Sequence, residues 1–449
     1  MMAPDHPTAL VVGAGLSGLV AARRLLERGW RVRFVEAESV AGGSVKTFRR
    51  DGFLIDTGAD AMTEAYSRFL ALVKEAGLGD QLAMSSNILG VIKNNRLIEI
   101  DPAHPIKALC SPILSTGGKL RFARGLFAIR KQIGATSAFG LRAHAALDDP
   151  MLDARQRSQD VFGEEVTKYL LDPILQLVAG ARSDTITSLI LPAALSSGSA
   201  KMVTLQGGLD ILPTSLAATL PVEFDSRVVS IEEDRSAGGL QFRLETPSGP
   251  EDGIADVAII ATPIHVAARI SPALHDAVGE LLGELPTVGL ITVSMAYARP
   301  TRTQAYLVNL PSVEGRSELA LLLQHNKADD RAPRGSSLIT TYLDDAAMMA
   351  LENVDDDTIG ADVRSYVESV MPELKGSHRF THVQRWPYAG PYARPGYYRL
   401  VDEVARRLEQ VPRIRLAGDF WAAGSMEAAV RSGEAAAEHI QRDFGRRHV

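Results

Sequence analysis

This chain of 449 residues has a single cysteine, Cys110. One thiol cannot form an internal disulfide or a cysteine-cluster metal site, and such usage fits a reducing compartment. Long apolar runs are missing as well: no stretch approaches the roughly 18 uncharged apolar residues that cross a bilayer. Met1 to Thr8 is a short polar lead-in, without the charged start and apolar run of a secretion signal. Basic stripes are absent too. Net charge is −6, with Lys/Arg and Asp/Glu interspersed, whereas nucleic-acid binders need clustered positive charge. No internal repeat or low-complexity tract stands out, and no metal is expected. A cytoplasmic protein is the expectation, with contact at a membrane surface the most that the sequence allows. Core material is ample. Hydrophobic residues make up 46% and charged ones 23%, ordinary for a globular chain, and the length suits roughly three units.

The first element is an apolar strand, Ala9-Leu10-Val11-Val12, followed at once by Gly13-Ala14-Gly15-Leu16-Ser17-Gly18. A helix follows, with Leu19, Ala22, Leu25 and Leu26 on one face and Arg23, Arg24, Glu27 and Arg28 on the other. Gly29 stops it, and Arg31 to Glu36 reads as a second strand. A glycine triplet between strand and helix, with an acid ending the next strand, is a dinucleotide fingerprint. Gly13 permits the tight turn, Gly15 lets the backbone approach a pyrophosphate, and Gly18 lets helix and strand pack closely. The pyrophosphate sits at the helix N-terminus beside Leu16 and Ser17, where free N–H groups favour negative charge. Glu36, followed by Ala37, is placed to accept from ribose hydroxyls, and its charge disfavours the 2′-phosphate of NADP.

Two further motifs set the cofactor. Ala41-Gly42-Gly43-Ser44-Val45-Lys46-Thr47 leads into Gly52 to Asp60, which includes Gly58-Ala59-Asp60. Near the C-terminus, Ile414 to Asp419 is a strand ending in Gly418-Asp419, leading to Gly424-Ser425-Met426-Glu427-Ala428-Ala429 and a small-residue helix. Together these resemble the FAD-dependent amine oxidase and protoporphyrinogen oxidase superfamily; Ser44 where families often carry Arg directly after the glycines, with Lys46 as the basic residue, is the arrangement of the protoporphyrinogen oxidase branch. Ala261-Thr262-Pro263, Val228-Val229, Leu205 to Leu209 and Phe162 to Arg182 resemble its landmarks, so the likeness covers nearly the whole chain. It implies one FAD, held without a covalent bond since no cysteine lies near the closing motif. Gly42, Gly43, Lys46 and Thr47 would flank the pyrophosphate side, with Gly58, Ala59 and Asp60 completing the early signature. Val228 would meet the adenine, Ala261 and Thr262 would lie beside the cofactor, and Asp419 would bond the ribityl chain. Ser425, Met426 and Ala429 would present a helix N-terminus to the flavin carbonyls.

The implied fold class is α/β: a Rossmann-type, GR2-like FAD-binding domain with an α+β substrate domain containing an antiparallel sheet, plus a helical subdomain. The FAD domain would take residues 1–85, 205–265 and 385–449, the helical subdomain 86–204, and the substrate domain 266–384. Helices are predicted at Gly118–Ile133, Ala138–Ala146, Gln159–Ala181, Leu209–Leu220, Thr358–Val370 and Met426–Phe444. Strands are predicted at Gly90–Ile92, Arg227–Ile231, Leu240–Glu245, Ala255–Ala261, Gly289–Ala298, Leu319–Gln324, Ser337–Leu343 and Ile414–Ala417.

The resemblance also bears on the chemistry. Amine oxidases of this superfamily usually carry a lysine on the first strand of the substrate sheet, where this chain has Thr292, and an aromatic residue where it has Ser425. Losing that wall weakens an aromatic cage for an amine. Trp386 is a candidate for another wall. The protoporphyrinogen oxidase type needs neither feature, and His104 or Lys107 would be its carboxylate anchor. Hydride transfer from a substrate C–H to flavin N5 is the expected reaction, on a CH–CH or CH–NH group of a small molecule, with dioxygen as acceptor. Candidates near the chemistry are Thr292, Trp386 and Tyr342, with Tyr388 and His265 behind them. An amine oxidase with a rebuilt cage and a flavoprotein without net redox turnover stay open. Pro105–Ile133, with Lys107, Lys119, Arg121, Arg124, Arg130 and Lys131 among apolar residues, is a candidate membrane-contact helix.

Overall fold

Near-continuous apolar strands need cover on both faces, and the chain supplies it with helices. The computed structural model describes residues 6–94, 96–101, 103–104, 107, 110–135, 144–197, 200–234, 238–310, 316–422 and 424–445. Among them a five-stranded parallel sheet runs in the order Val222–Glu223, Arg31–Val35, Thr8–Val12, Val257–Ile260, Ile414–Leu416. Strands from both ends of the chain thus share one sheet. Every residue of Val257–Ile260 is buried, as the apolar run requires.

Helices Leu16–Glu27 and Met426–Phe444 cover this sheet and share a core with it. Their crossing is close because Gly433 has no side chain: a Cβ there would stand 2.3 Å from the Ser17 carbonyl oxygen. Glu427 adds a second tie. Its buried carboxylate accepts from the Phe69 N–H at 2.8 Å and from Arg431 Nε at 2.7 Å, capping helix Ser67–Glu75. Ahead of Val257–Ile260 lies an antiparallel meander of Arg227–Asp234, Gly239–Thr246 and Gly249–Ala255. Gly249–Ala255, rich in Gly, Pro and acids, has no apolar alternation, and sequence patterning missed it.

A second sheet runs His378–Pro391, Thr287–Tyr297, Ser337–Leu343, Glu318–Leu323, Leu307–Asn309, Leu89–Lys93, Arg96–Ile100. It is antiparallel except where Leu307–Asn309 runs parallel to Leu89–Lys93. Leu89–Lys93 and Arg96–Ile100 fall inside the segment predicted to be a helical subdomain, yet they extend this sheet. His378–Pro391 likewise crosses the boundary predicted at 385. Helices of the middle segment include Thr116–Ala135, Ala154–Phe162, Asp172–Ala179 and Ile190–Ser197. One helix was predicted over Gln159–Ala181, but Gly163 at φ +81° ends the first piece and redirects the chain. The helix predicted at Ala138–Ala146 falls mostly outside the described residues. No helix among the described residues is long and apolar enough to cross a membrane.

Candidate active site

The parallel strands reverse winding between Thr8–Val12 and Val257–Ile260, and at such a switch point the loops diverge to leave a crevice. Gly13 turns there at φ +97°, and a Cβ on it would sit 2.9 Å from the Ala261 carbonyl oxygen. Gly18 is tighter still, since its Cβ would meet the Gly13 carbonyl oxygen at 1.8 Å. The second glycine loop docks on the first through Gly42 N–H to Ala14 O at 2.9 Å. Glu36 reaches back to this loop: one carboxylate oxygen accepts from the Ala14 N–H at 2.5 Å, the other from the Glu38 N–H at 2.9 Å. A carboxylate keeps further lone pairs after two such bonds. Ala37 follows at the strand end, while Val228 is buried beside a bulge that leaves Val229 out of the ladder.

This crevice opens into a cavity of about 1450 Å³, larger than the roughly 300–1,000 Å³ that one drug-sized ligand occupies. Of the residues singled out in sequence, Gly15, Leu16, Ser17, Gly42 and Gly43 line one end. Gly58, Ala59, Asp60, Ala261 and Thr262 line its middle, with Thr292, Tyr342 and Trp386. Gly418, Asp419, Ser425, Met426 and Ala429 line it from the C-terminal motif. Gly13 and Gly18 act behind this wall, through packing. Glu36, Ala37 and Val228 are outside the lining. Two expectations are not met. Lys46 is exposed and does not face the cavity, and Thr47 donates to Asp56 at 2.7 Å. Pairing of Thr47–Arg50 with Phe53–Asp56 turns Thr47 toward Asp56.

The three residues proposed near the chemistry share one task. Thr292 Oγ1 donates to the Thr57 carbonyl at 2.9 Å, and Trp386 Nε1 donates to the same oxygen at 2.7 Å. The Tyr342 hydroxyl reaches the next carbonyl, Gly58, at 3.4 Å. All three come from the seven-stranded sheet and grip the backbone of Thr57–Asp60. Burial, with the Asp60 carboxylate next, pushes the Tyr342 phenol well above its ordinary value. It is not a base at neutral pH.

Below this segment lies a charged cluster that sequence reading missed. Lys327 and Arg331 are wholly buried, as are Asp56 and Asp60. Lys327 Nζ is paired with Asp56 at 2.8 Å and with Asp60, and Gln324 Nε2 donates to Asp60 at 2.6 Å. Arg331 lies 3.2 Å from Asp56 and donates to Leu205 O at 2.8 Å. Burial would raise the Asp56 carboxyl, but Lys327 and Arg331 overcome it and hold the group below its usual value. Nothing local distinguishes Lys327 from a solvated surface lysine.

At the far wall Asp419 lines the cavity, and burial pushes its carboxyl up to about 6. Ser425 caps helix Met426–Phe444, its Oγ accepting from the Ala428 N–H at 3.0 Å. The helix N-terminus, with its partial positive charge, therefore stands at the cavity. His265 stacks on Tyr388 with ring centroids 3.8 Å apart, and burial, with Arg269, lowers the His265 pKa. Of the suggested carboxylate anchors, His104 is exposed and bonded to Asp101 at 2.7 Å, and Lys107 is exposed. Neither lines the cavity. Among the described residues its lining holds one lysine, Lys201, and no arginine.

A backbone cradle for phosphates, an acid deep in the wall and a helix N-terminus beyond it fit FAD in sequence along one cavity. Comparison with known proteins agrees. Residues 16–441 match the model of a family described as flavin containing amine oxidoreductase. Protoporphyrinogen oxidase 2, chloroplastic/mitochondrial, of Arabidopsis thaliana is 24% identical over 96% of this chain and 93% of its own length. Coproporphyrinogen III oxidase of Bacillus subtilis is 22% identical over 95% and 96%. Among solved structures, cyclohexylamine oxidase from Brevibacterium oxydans IH-35A superposes with a TM-score of 0.73, at 19% identity, over 98% of this chain and all of that one.

Proposed function

We infer the reaction from one premise: this chain belongs to the flavin containing amine oxidoreductase family. Its cofactor is FAD, and it is an oxidoreductase of the protoporphyrinogen oxidase-like kind. The substrate we propose is a bulky, mainly apolar molecule of the porphyrinogen type, oxidised at a CH–CH or CH–NH group. Bound FAD would supply the electron sink for the hydride removed from that group, with dioxygen as the two-electron acceptor. The chain's residues do the holding. Thr292, Trp386 and Tyr342 fix the Thr57–Asp60 backbone, and the helix capped by Ser425 offers its N-terminal N–H groups to negative charge at the far end.

The observation that carries this reading is the fate of the two amine-oxidase positions. Thr292 spends its hydroxyl on a backbone carbonyl, and Ser425 spends its own on a helix cap. Neither builds a cage for an amine. The cavity volume adds support, because it leaves room for a second large ring system. With Lys201 the one cation lining it among the described residues, we assign carboxylate contact at the mouth to Lys201 in place of His104 or Lys107.

Anaerobic mixing of the FAD-loaded protein with protoporphyrinogen, coproporphyrinogen and cyclohexylamine tests the proposal. Bleaching of the flavin absorbance by a porphyrinogen is expected. Bleaching by the amine alone would favour an amine oxidase, and product formation without bleaching would favour turnover with no net redox change. We place the protein in the cytoplasm, with helix Thr116–Ala135 at a membrane surface. Its Leu120 and Phe127 are 60% and 68% exposed beside basic residues. Sedimentation with anionic vesicles, lost in Phe127→Glu, is the expected outcome.

A further inference from the structure

We propose that Lys327 is a positioning residue of the cofactor cavity: its buried ammonium, shared by Asp56 and Asp60, clamps the Thr57–Asp60 segment to the seven-stranded sheet and balances the charge of the wall. The inference holds whichever substrate the cavity takes, and rests only on FAD occupying it.

Three observations support it. First, the segment is held at both ends and along its length. Asp56 precedes it, Asp60 ends it and both meet at Lys327, while Thr57 O and Gly58 O are gripped by Thr292, Trp386 and Tyr342. Gly58 cannot be bulkier, since a Cβ would lie 2.1 Å from the Ser44 carbonyl oxygen. Second, the clamp joins two parts of the molecule. Lys327 follows strand Glu318–Leu323, whereas Asp56 ends strand Phe53–Asp56; the adjoining Arg331 reaches Thr204 at 3.0 Å and its carbonyl takes the Leu54 N–H at 3.2 Å. Third, the fully buried charges cancel. Asp56 and Asp60 stand against Lys327 and Arg331, with side-chain exposures of 0–2%. Asp330, 3.8 Å from Arg331, is partly exposed and lies outside this set.

A buried pair that loses one member leaves an uncompensated charge in a medium that screens it poorly. Because Asp60 lines the cavity, that charge acts on whatever ring system stands there. A reduced flavin carries more negative charge than an oxidised one, so the two possible imbalances have opposite effects. Lys327→Met leaves the cluster net negative and disfavours reduction. Asp60→Asn leaves it net positive and favours reduction.

The test measures FAD dissociation constants and the midpoint potential of the bound flavin in the full-length protein. Lys327→Met is expected to weaken FAD binding at least about tenfold. It should also lower the ratio of reduced to oxidised FAD affinity about tenfold, which for two electrons is about 30 mV. Asp60→Asn should raise that ratio by a similar factor, and the double variant should return close to the parent value. If Lys327→Met fails to fold, Asp60→Asn and the neutral double variant still decide the question. Potentials that shift in the same direction, or by less than about twofold in that ratio, would overturn the proposal. So would unchanged FAD affinity in Lys327→Met. A parent protein that takes up no FAD would instead defeat the premise of a flavin cavity.

Discussion

At the phosphate end of the cavity the wall is backbone. Gly13, Gly18, Gly42 and Gly43 bring main-chain atoms together where a single Cβ would collide or force a strained φ. Around Thr57–Asp60 the wall is also backbone, but side chains hold it in place: Thr292, Trp386 and Tyr342 from a different sheet, and Lys327 just past one of its strands. The first arrangement tolerates one residue type and so writes a motif into the sequence. The second brings together residues separated by 235 to 329 positions, and any donor of the right reach would serve. A site held by glycine is rigid in sequence as well as in space. A site held by long-range hydrogen bonds is rigid only in space.

That contrast predicts the largest loss at Gly18. A Cβ there would overlap the Gly13 carbonyl, and backbone on both sides cannot yield as a side chain would. Gly18→Val is expected to cost at least about 3 kcal/mol of stability and to abolish FAD retention. Denaturant unfolding and flavin absorbance after desalting read both. Near-parental stability with bound FAD would mean that the glycine wall can move, and the contrast would lose one side.

Asp419 comes next and has two signs. In the apoprotein its carboxyl titrates near 6, against 3.8 in an unfolded chain. Between these values the folded form holds a proton that the unfolded form has lost. Stability therefore falls as pH rises from about 4 to 6, and stays lowered above. Asp419→Asn should remove that fall, raising apoprotein stability at pH 7.5 by up to about 2 kcal/mol and changing little at pH 4. It should also weaken FAD binding about tenfold, through loss of a charged acceptor. Chemical denaturation at the two pH values and an FAD titration check each half; a stabilised variant with undiminished affinity would take Asp419 out of the cofactor site.

The side-chain wall should fail by smaller steps, because its grips are redundant. Trp386→Phe and Thr292→Val each remove one donor from the Thr57 carbonyl and leave the other. Each is expected to cost about 1 kcal/mol, and the double variant more than the sum, since the carbonyl is then left unpaired. A double-mutant cycle by denaturant unfolding measures the excess. Strict additivity would show that the two donors do not share one acceptor.

The same physics explains what the sequence disclosed. The glycine turn at Gly13–Gly18 was legible because few residue types fit it, and strand Ser337–Leu343 and helix Met426–Phe444 begin and end where their patterns change. Apolar periodicity could not show that Leu89–Lys93 and Arg96–Ile100 leave the middle segment to join the larger sheet, because a short apolar strand does not name its partner. Lys327 and Arg331 stayed hidden because a buried cation is recognisable only once its carboxylates are known. Thr292 and Trp386 were singled out against the family's amine-oxidase positions and Tyr342 as a possible acid–base group, yet their shared hold on one backbone segment has no trace in spacing.

The smallest predicted effect is the sharpest test of the backbone wall. Lys46 was placed at the pyrophosphate by its neighbours Gly42 and Gly43, but its side chain is exposed and outside the cavity lining. If glycine N–H groups and the helix N-terminus at Leu16 hold the phosphates, a solvated ammonium at that distance contributes little, because water and salt screen it. Lys46→Ala should then change the FAD dissociation constant less than about twofold, and leave its dependence on ionic strength unaltered. A tenfold loss that disappears at high salt would mean that the lysine swings onto the diphosphate when FAD binds, and the phosphate end would then be closed by a side chain, like the other.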